Sequence, residues 1–275
     1  MHPTLNIPPL SAEHLGREKK MRNLTHRLPL SVRYFAYSRW LSHKPGFVPS
    51  KITDLGDRTK VEQLDLTFVL PGYAGKTQLR QILGGYLKAL HEKYTCPGFV
   101  EIAPSDVVLD CGAFAGGFSM AAALQGARAY AIEPAPLNFS CVEQNLAAFE
   151  KASALQIGLY NESQTLTFNI SDETSQHSLL APDNGVVAEA INIDVHRPDS
   201  LVETFGIAPP TFVKVEAEGV EPEIIEGLGE MQPTKIAVDI SPERDGKSPI
   251  EEIEAMLKSR GYETRTKGIV LFARL

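Results

Sequence analysis

Two carboxylates and a run of glycines are the residues best placed to do chemistry. Val107-Val-Leu-Asp110-Cys-Gly112-Ala113-Phe114-Ala-Gly116-Gly117 reads as a buried strand that ends in an acid and turns through glycines into a helix. Ala129-Tyr-Ala-Ile-Glu133 reads as a second strand ending in a second acid, 23 residues beyond the first. Glycines let a backbone come close to a ligand and take torsions that a β-carbon forbids. A carboxylate at the tip of the second strand can accept hydrogen bonds from both hydroxyls of a ribose, as happens where nucleotide cofactors bind at the carboxyl ends of parallel strands. The pair predicts an adenosine-containing cofactor.

The glycine spacing narrows the choice. A dinucleotide fingerprint is G-x-G-x-x-G, with the pyrophosphate on the helix N-terminus. Here the pattern is Asp-x-Gly-x-x-x-Gly-Gly, with the acid ahead of the first glycine. Asp110 would repel a pyrophosphate but suits a ligand carrying an ammonium and a sulfonium. That describes S-adenosylmethionine and not NAD. Cofactor contacts are therefore expected from Asp110, Gly112, Ala113, Phe114, Gly116 and Glu133. The alternative, a tight turn without a ligand, leaves both acids unexplained.

A methyl carried on a sulfonium is displaced in line, so the acceptor oxygen must be held about 3 Å from the methyl carbon. A base that removes the hydroxyl proton adds roughly 10²–10⁴-fold. Side chains just after the fourth strand are the first place to look for it. Glu216 and Glu218 alternate along that segment, and Glu221 follows at the start of a helix. One carboxylate of such a group could be the base, with a raised pKa. Together the three could hold Mg²⁺ or another hard cation, which is not the favoured reading, and no metal ligand is assigned. Each also has a structural use: Glu221 could complement the helix N-terminus and Glu218 could bind turn amides.

The elements that must carry these groups alternate from residue 106 onward. Strands are predicted over 107–109, 129–132, 154–160, 211–215 and 236–239, with helices over 117–125, 136–149, 222–228 and 249–260. A hairpin over 262–266 and 269–273 closes the sheet, and a second, over 165–170 and 189–195, is inserted with a polar loop at 171–185. Such alternation with right-handed crossovers implies an α/β, doubly wound sheet with a terminal antiparallel strand pair. Ahead of it, 11–27 and 31–41 read as helices, 45–50 as a linker, 61–70 as one strand and 78–93 as one helix. Pro71-Gly-Tyr-Ala-Gly75-Lys76-Thr77 is not a phosphate-binding loop, because Leu70 stands where the first glycine is needed. Three segments follow: 1–45, a basic helical arm; 46–100, a lead-in strand and helix; and 101–275, the cofactor domain.

Composition sets outer limits. Residues 1–45 hold eight Lys/Arg and two Asp/Glu, leaving 19 and 32 in the remainder of a chain whose net charge is −7. The acidic body speaks against nucleic acid as a partner. The basic arm, with its aromatics, could meet an anionic membrane, pack on the main domain or mediate contacts in a homo-oligomer. No apolar run reaches the roughly 18 residues of a transmembrane helix. The N-terminus shows no signal-peptide core, and Cys96, Cys111 and Cys141 lack metal-ligand spacing, so a cytoplasmic protein is expected.

With strands and acids in order, the chain resembles the FkbM family of S-adenosylmethionine-dependent methyltransferases. The residues that carry the resemblance are Asp106-Val-Val-Leu-Asp-Cys-Gly-Ala-Phe-Ala-Gly-Gly-Phe118, Glu133-Pro134-Ala-Pro-Leu-Asn138-Phe139, Lys214-Val-Glu-Ala-Glu-Gly-Val-Glu221 and Glu92-Lys-Tyr94-Thr-Cys-Pro-Gly-Phe. They span roughly residues 90–240. The resemblance implies a Rossmann-like class I methyltransferase fold and adds Pro134, Asn138 and Tyr94 to the cofactor contacts. It also sets the polar loop around Ser175-Gln-His177-Ser178 over the active site, where His177 would be a base suited to neutral pH. The implied activity is O-methylation of a sugar, glycan or natural-product hydroxyl, with Glu216, Glu218 and His177 as catalytic candidates. N-methylation of an amine or peptide, or a cofactor-binding scaffold without turnover, stand as alternatives. The sequence departs from the family in having Glu216 where the middle block usually has Asp, and Ala217 where it has Val.

Overall fold

The computed structural model describes residues 29–44, 46–72, 76–171, 177–180, 187–244 and 246–275. The helix expected over 11–27, and most of the polar loop at 171–185, lie outside the described residues. Helix α1 (Leu30–Leu41) leads into a three-stranded antiparallel sheet of β1 (Ser50–Asp54), β2 (Arg58–Gln63) and β3 (Leu66–Pro71). Helices α2 (Lys76–Leu83) and α3 (Tyr86–Lys93) follow.

Three expectations are corrected here. The alternating segment 61–70 is two strands, because the chain reverses at Leu64, which takes φ 52°. The stretch 45–50 is not all linker, since Ser50 pairs with Gln63. The helix over 78–93 breaks at Gly84-Gly85, where Gly85 takes φ 89° and its missing β-carbon admits Val48.

The main sheet is built from β4 (Val107–Cys111), β5 (Arg128–Ile132), β6 (Ala152–Leu155), β10 (Phe212–Val215), β11 (Lys235–Asp239), β12 (Glu263–Lys267) and β13 (Val270–Arg274). Its order is β12-β13-β11-β10-β4-β5-β6, with β4, β5, β6, β10 and β11 parallel and β13 antiparallel to both neighbours. This is the α/β, doubly wound sheet with a terminal antiparallel strand pair expected from the sequence. Helix α4 (Gly117–Leu124) follows β4, and α5 (Pro136–Leu146) follows β5 with proline in its first turn, where a missing N–H costs nothing. Both cover one face together with the N-terminal elements, joined by Leu79, Ile82, Met120 and Val142. Helices α7 (Glu221–Glu226) and α8 (Ile250–Ser259) cover the other face through Ile224, Ile225, Ile253 and Leu257, with α6 (Leu201–Phe205) adding Leu201. A sheet covered on both sides needs apolar strands, and Val108 to Cys111 are all buried.

The third predicted strand divides. Residues 152–155 join the main sheet, whereas β7 (Gly158–Leu159) leaves it to pair with β9 (Val187–His196), itself antiparallel to β8 (Gln164–Ser171). The inserted hairpin is thus a small sheet of order β7-β9-β8.

Candidate active site at the ends of β4 and β10

β4 and β10 lie side by side where the strand order reverses, the place where open α/β sheets bind ligands. The turn after β4 is forced close to the segment after β10. A β-carbon on Gly112, at φ 75°, would sit 1.8 Å from the carbonyl oxygen of Glu216. Phe114 (φ 56°) and Gly116 (φ 73°) also take left-handed torsions, and Gly116 then caps α4. A cavity of about 270 Å³ opens at this point.

Glu133 is buried beside it. One carboxylate oxygen accepts from the Phe114 N–H at 2.8 Å and the other from the Ala135 N–H at 3.0 Å. Burial pushes its pKa up to about 7, against the pull of those two amides and of Lys214 and Asn138. Two amides fix the orientation of a carboxylate that still has lone pairs to offer, and Glu133, Pro134 and Asn138 all line the cavity.

A chain of charges runs through the cavity wall, with Lys93, Lys214 and Glu216 lining it. Asp110, wholly buried, accepts from the Ser119 backbone N–H at 3.2 Å and hydroxyl at 2.8 Å, and pairs with Lys214 Nζ at 3.0 Å. Lys214 also donates to the Gly112 carbonyl at 2.7 Å and lies 3.5 Å from Glu216. Lys93 bridges Glu216 at 2.6 Å and Asp239 at 2.8 Å. The Tyr94 ring is flanked by both ammonium groups, 4.8 Å from Lys93 and 5.1 Å from Lys214. Burial alone would raise the Glu216 pKa, but Lys214 and Lys93 outweigh it and hold it at about 2. Burial would likewise lower Lys214, and Asp110 and Glu216 reverse that.

Glu218 contrasts with Glu216. It takes φ 53°, and burial, reinforced by the charges of Glu243 and Glu216, lifts its pKa to about 9. Its backbone carbonyl accepts from the Ser178 hydroxyl at 2.7 Å, which ties the described end of the polar loop to the site. Glu221 turns away, accepting from the Ala217 N–H at 2.7 Å and the Gly219 N–H at 3.0 Å ahead of α7. The three glutamates therefore do not converge. Among the described residues, no group of three or more His, Cys, Asp or Glu could hold a metal ion.

His177 also lines the cavity. Its Nδ1 accepts from the Ser171 backbone N–H at 3.0 Å, and its ring lies edge-on to Phe168 at 6.4 Å. Burial lowers its pKa, favouring the neutral ring. With Nδ1 occupied as an acceptor, the neutral ring carries its proton on Nε2.

Of the residues singled out from the sequence, Tyr94, Gly112, Ala113, Phe114, Glu133, Pro134, Asn138, His177, Glu216 and Glu218 line one cavity. Asp110 and Gly116 do not. The expectation that the Asp110 carboxylate faces a cationic ligand does not match its placement, since Lys214 and Ser119 occupy it. Sequence reasoning missed Lys93 as a bridge and Lys214 as the partner of Asp110. The signal for the second was a lysine inside the otherwise apolar strand Phe-Val-Lys-Val, which can be buried only against an opposite charge.

A family model described as the methyltransferase FkbM domain matches residues 110–264. The chain belongs to the FkbM methyltransferase family. It is similar to the 31-O-demethyl-FK506 methyltransferase FkbM of Streptomyces tacrolimicus, 24% identical over 208 residues that cover 63% of this chain and 79% of the relative. It is also similar to the methyltransferase sdnD of Sordaria araneosa, 25% identical over 203 residues, covering 61% of this chain and 78% of the relative. Among solved structures, precorrin-6y C5,15-methyltransferase of Geobacter metallireducens aligns with 14% identity and a TM-score of 0.41, covering 69% of this chain and 88% of that one. This FkbM-family chain is an S-adenosylmethionine-dependent methyltransferase. Among its described residues, no helix is long and apolar enough to cross a membrane.

Proposed function

We propose that this methyltransferase transfers its methyl group to a hydroxyl of a sugar, glycan or natural product. The observation that carries the proposal is the contrast between two glutamates in one cavity, Glu216 held ionised down to about pH 2 and Glu218 holding its proton up to about pH 9. A hydroxyl acceptor needs a strong base, and a carboxylate with a raised pKa is one. The name of the Streptomyces relative points the same way, to methylation at an oxygen.

The residues present fit S-adenosylmethionine, which would supply an electrophilic methyl on a positively charged sulfur. Glu133 would hold the ribose diol with the lone pairs its amide partners leave open, flanked by Pro134 and Asn138. Gly112, Ala113, Phe114 and Tyr94, which line the cavity, would contribute contacts to the cofactor. Asp110 and Gly116 keep that turn in shape from behind. Glu218 takes the acceptor proton at a carboxylate oxygen in its ionised form, whose share grows as the pH rises toward 9, and Glu216 fixes the two lysines around it. His177, with its proton on Nε2, donates a hydrogen bond to an acceptor oxygen and leaves proton removal to Glu218.

The test is transfer of label from methyl-tritiated S-adenosylmethionine to parallel panels of sugars, polyketide alcohols, amines and peptides. Label recovered in a hydroxyl-derived ether supports the reading. Label confined to amines, or cofactor binding without consumption in any panel, overturns it.

A further inference from the structure

Helix α1 carries apolar side chains on both faces, and the fold covers one of them. Leu30 and Arg33 are buried, and Tyr34 and Tyr37 pack on the core beneath. The opposite face presents Val32, Phe35, Ala36, Arg39, Trp40 and, one turn on, His43, all exposed and all at helical spacing. Phe35 is 69% exposed and Trp40 47%.

Cations stand among these aromatics. Lys44 Nζ lies 4.0 Å from the centre of the Trp40 ring, and the Arg80 guanidinium, from neighbouring α2, lies at 5.1 Å. The sequence holds no Asp or Glu over 29–53 or 76–91, although the chain has 34 of them. Exposed aromatics set among cations, on segments that carry no carboxylate of their own, match a bilayer surface, which offers lipid phosphates and apolar chains at adjacent depths.

We propose that the outer face of α1 docks on an anionic lipid bilayer, with Phe35 and Trp40 entering the headgroup boundary and Arg39, Lys44 and Arg80 meeting lipid phosphates. Arg80 shares α2 with Gln78 and Gln81, which line the cavity, so the docked face borders the site. The inference is independent of which atom accepts the methyl group.

Trp40 is the single tryptophan of the chain, so its emission reports on this face alone. The full-length protein is mixed with phosphatidylcholine vesicles with and without phosphatidylglycerol, and followed by fluorescence and by sedimentation. The expected result is a blue shift and co-sedimentation with the anionic vesicles only, both reversed by high salt. Phe35→Ser should weaken partitioning roughly tenfold and Arg39→Glu should weaken it further. Circular dichroism and calorimetric cofactor binding should stay unchanged in both variants. Absence of shift and sedimentation with anionic vesicles overturns the proposal. So does wild-type partitioning in both variants, or a lipid-free shift that grows with protein concentration, which would mark a second copy of the chain as the occupant.

Discussion

Asp110 and Lys214 stand opposite each other in the register of two parallel strands, β4 and β10, with the lysine Nζ 3.0 Å from the carboxylate. Both side chains are 3% exposed or less. The acid at the head of the glycine turn is thus a strand-to-strand fastening. Through the Gly112 carbonyl, the same lysine reaches the turn that follows.

Removing one charge of a buried pair strands the other. Asp110→Asn should lower stability by roughly 3–5 kcal/mol, read as a shift of the urea midpoint. Asp110→Asn combined with Lys214→Met should recover part of that loss. A double variant no better than the single one would show that the ion pair is not what the asparagine disturbs.

Gly112→Ala places a methyl 1.8 Å from a backbone carbonyl. The clash is with main chain and the torsion is left-handed, so neither side can yield cheaply. The variant should melt well below the wild type and lose cofactor binding in calorimetry. Normal melting together with normal binding would contradict the close approach of the two turns.

Glu133 ties cofactor binding to pH. Hydroxyls donate to a carboxylate better than to a carboxylic acid, so affinity should fall as the pH drops through about 7. Glu133→Gln should bind roughly 10–100-fold more weakly and lose that dependence. In the ligand-free chain the sign reverses. Glu133, Glu243 and Glu218 have folded pKa values raised to about 7, 8 and 9, so the native state binds more protons than the unfolded chain. Their contribution is complete below about pH 4.5, the unshifted value, and stability should decline as the pH rises from there to about 9 and then level off. Melting curves with and without cofactor across that range would check both slopes.

The two glutamates should separate by kinetics. Glu218→Gln should reduce kcat by roughly 10²–10⁴-fold and remove the rise in rate toward pH 9. Glu216→Gln leaves Lys93 and Lys214 short of a partner, so its main effect should be on melting temperature. If the alkaline rise persisted in Glu218→Gln, another group would be the base.

Much of this was legible in the sequence. The parallel strands, the glycine turn and both acids follow from burial and turn chemistry, and the closing hairpin runs within a residue of its expected place. What failed were properties of pairing. Nothing local marks Gln63-Leu64-Asp65 as a reversal, because the left-handed residue there is a leucine. The exit of β7 from the main sheet depends on β9, which follows nearly 30 residues later. A single residue type also cannot reveal whether a carboxylate faces a ligand or a neighbouring strand. Asp110 needed the register with Lys214 to decide, and the opposite ionisation of Glu216 and Glu218 needed the positions of two lysines and of Glu243.

Asn145 of α5 adds an assembly order to this fold. Its side-chain amide donates to the carbonyls of Val69 and Ala115, while its oxygen accepts from the Val69 N–H. β3 is an edge strand, and these bonds occupy its open backbone groups at Val69. The residue that seals the edge lies 76 positions downstream. During synthesis the amino-terminal strands therefore emerge with a sticky margin that stays unsheltered until 76 more residues have followed.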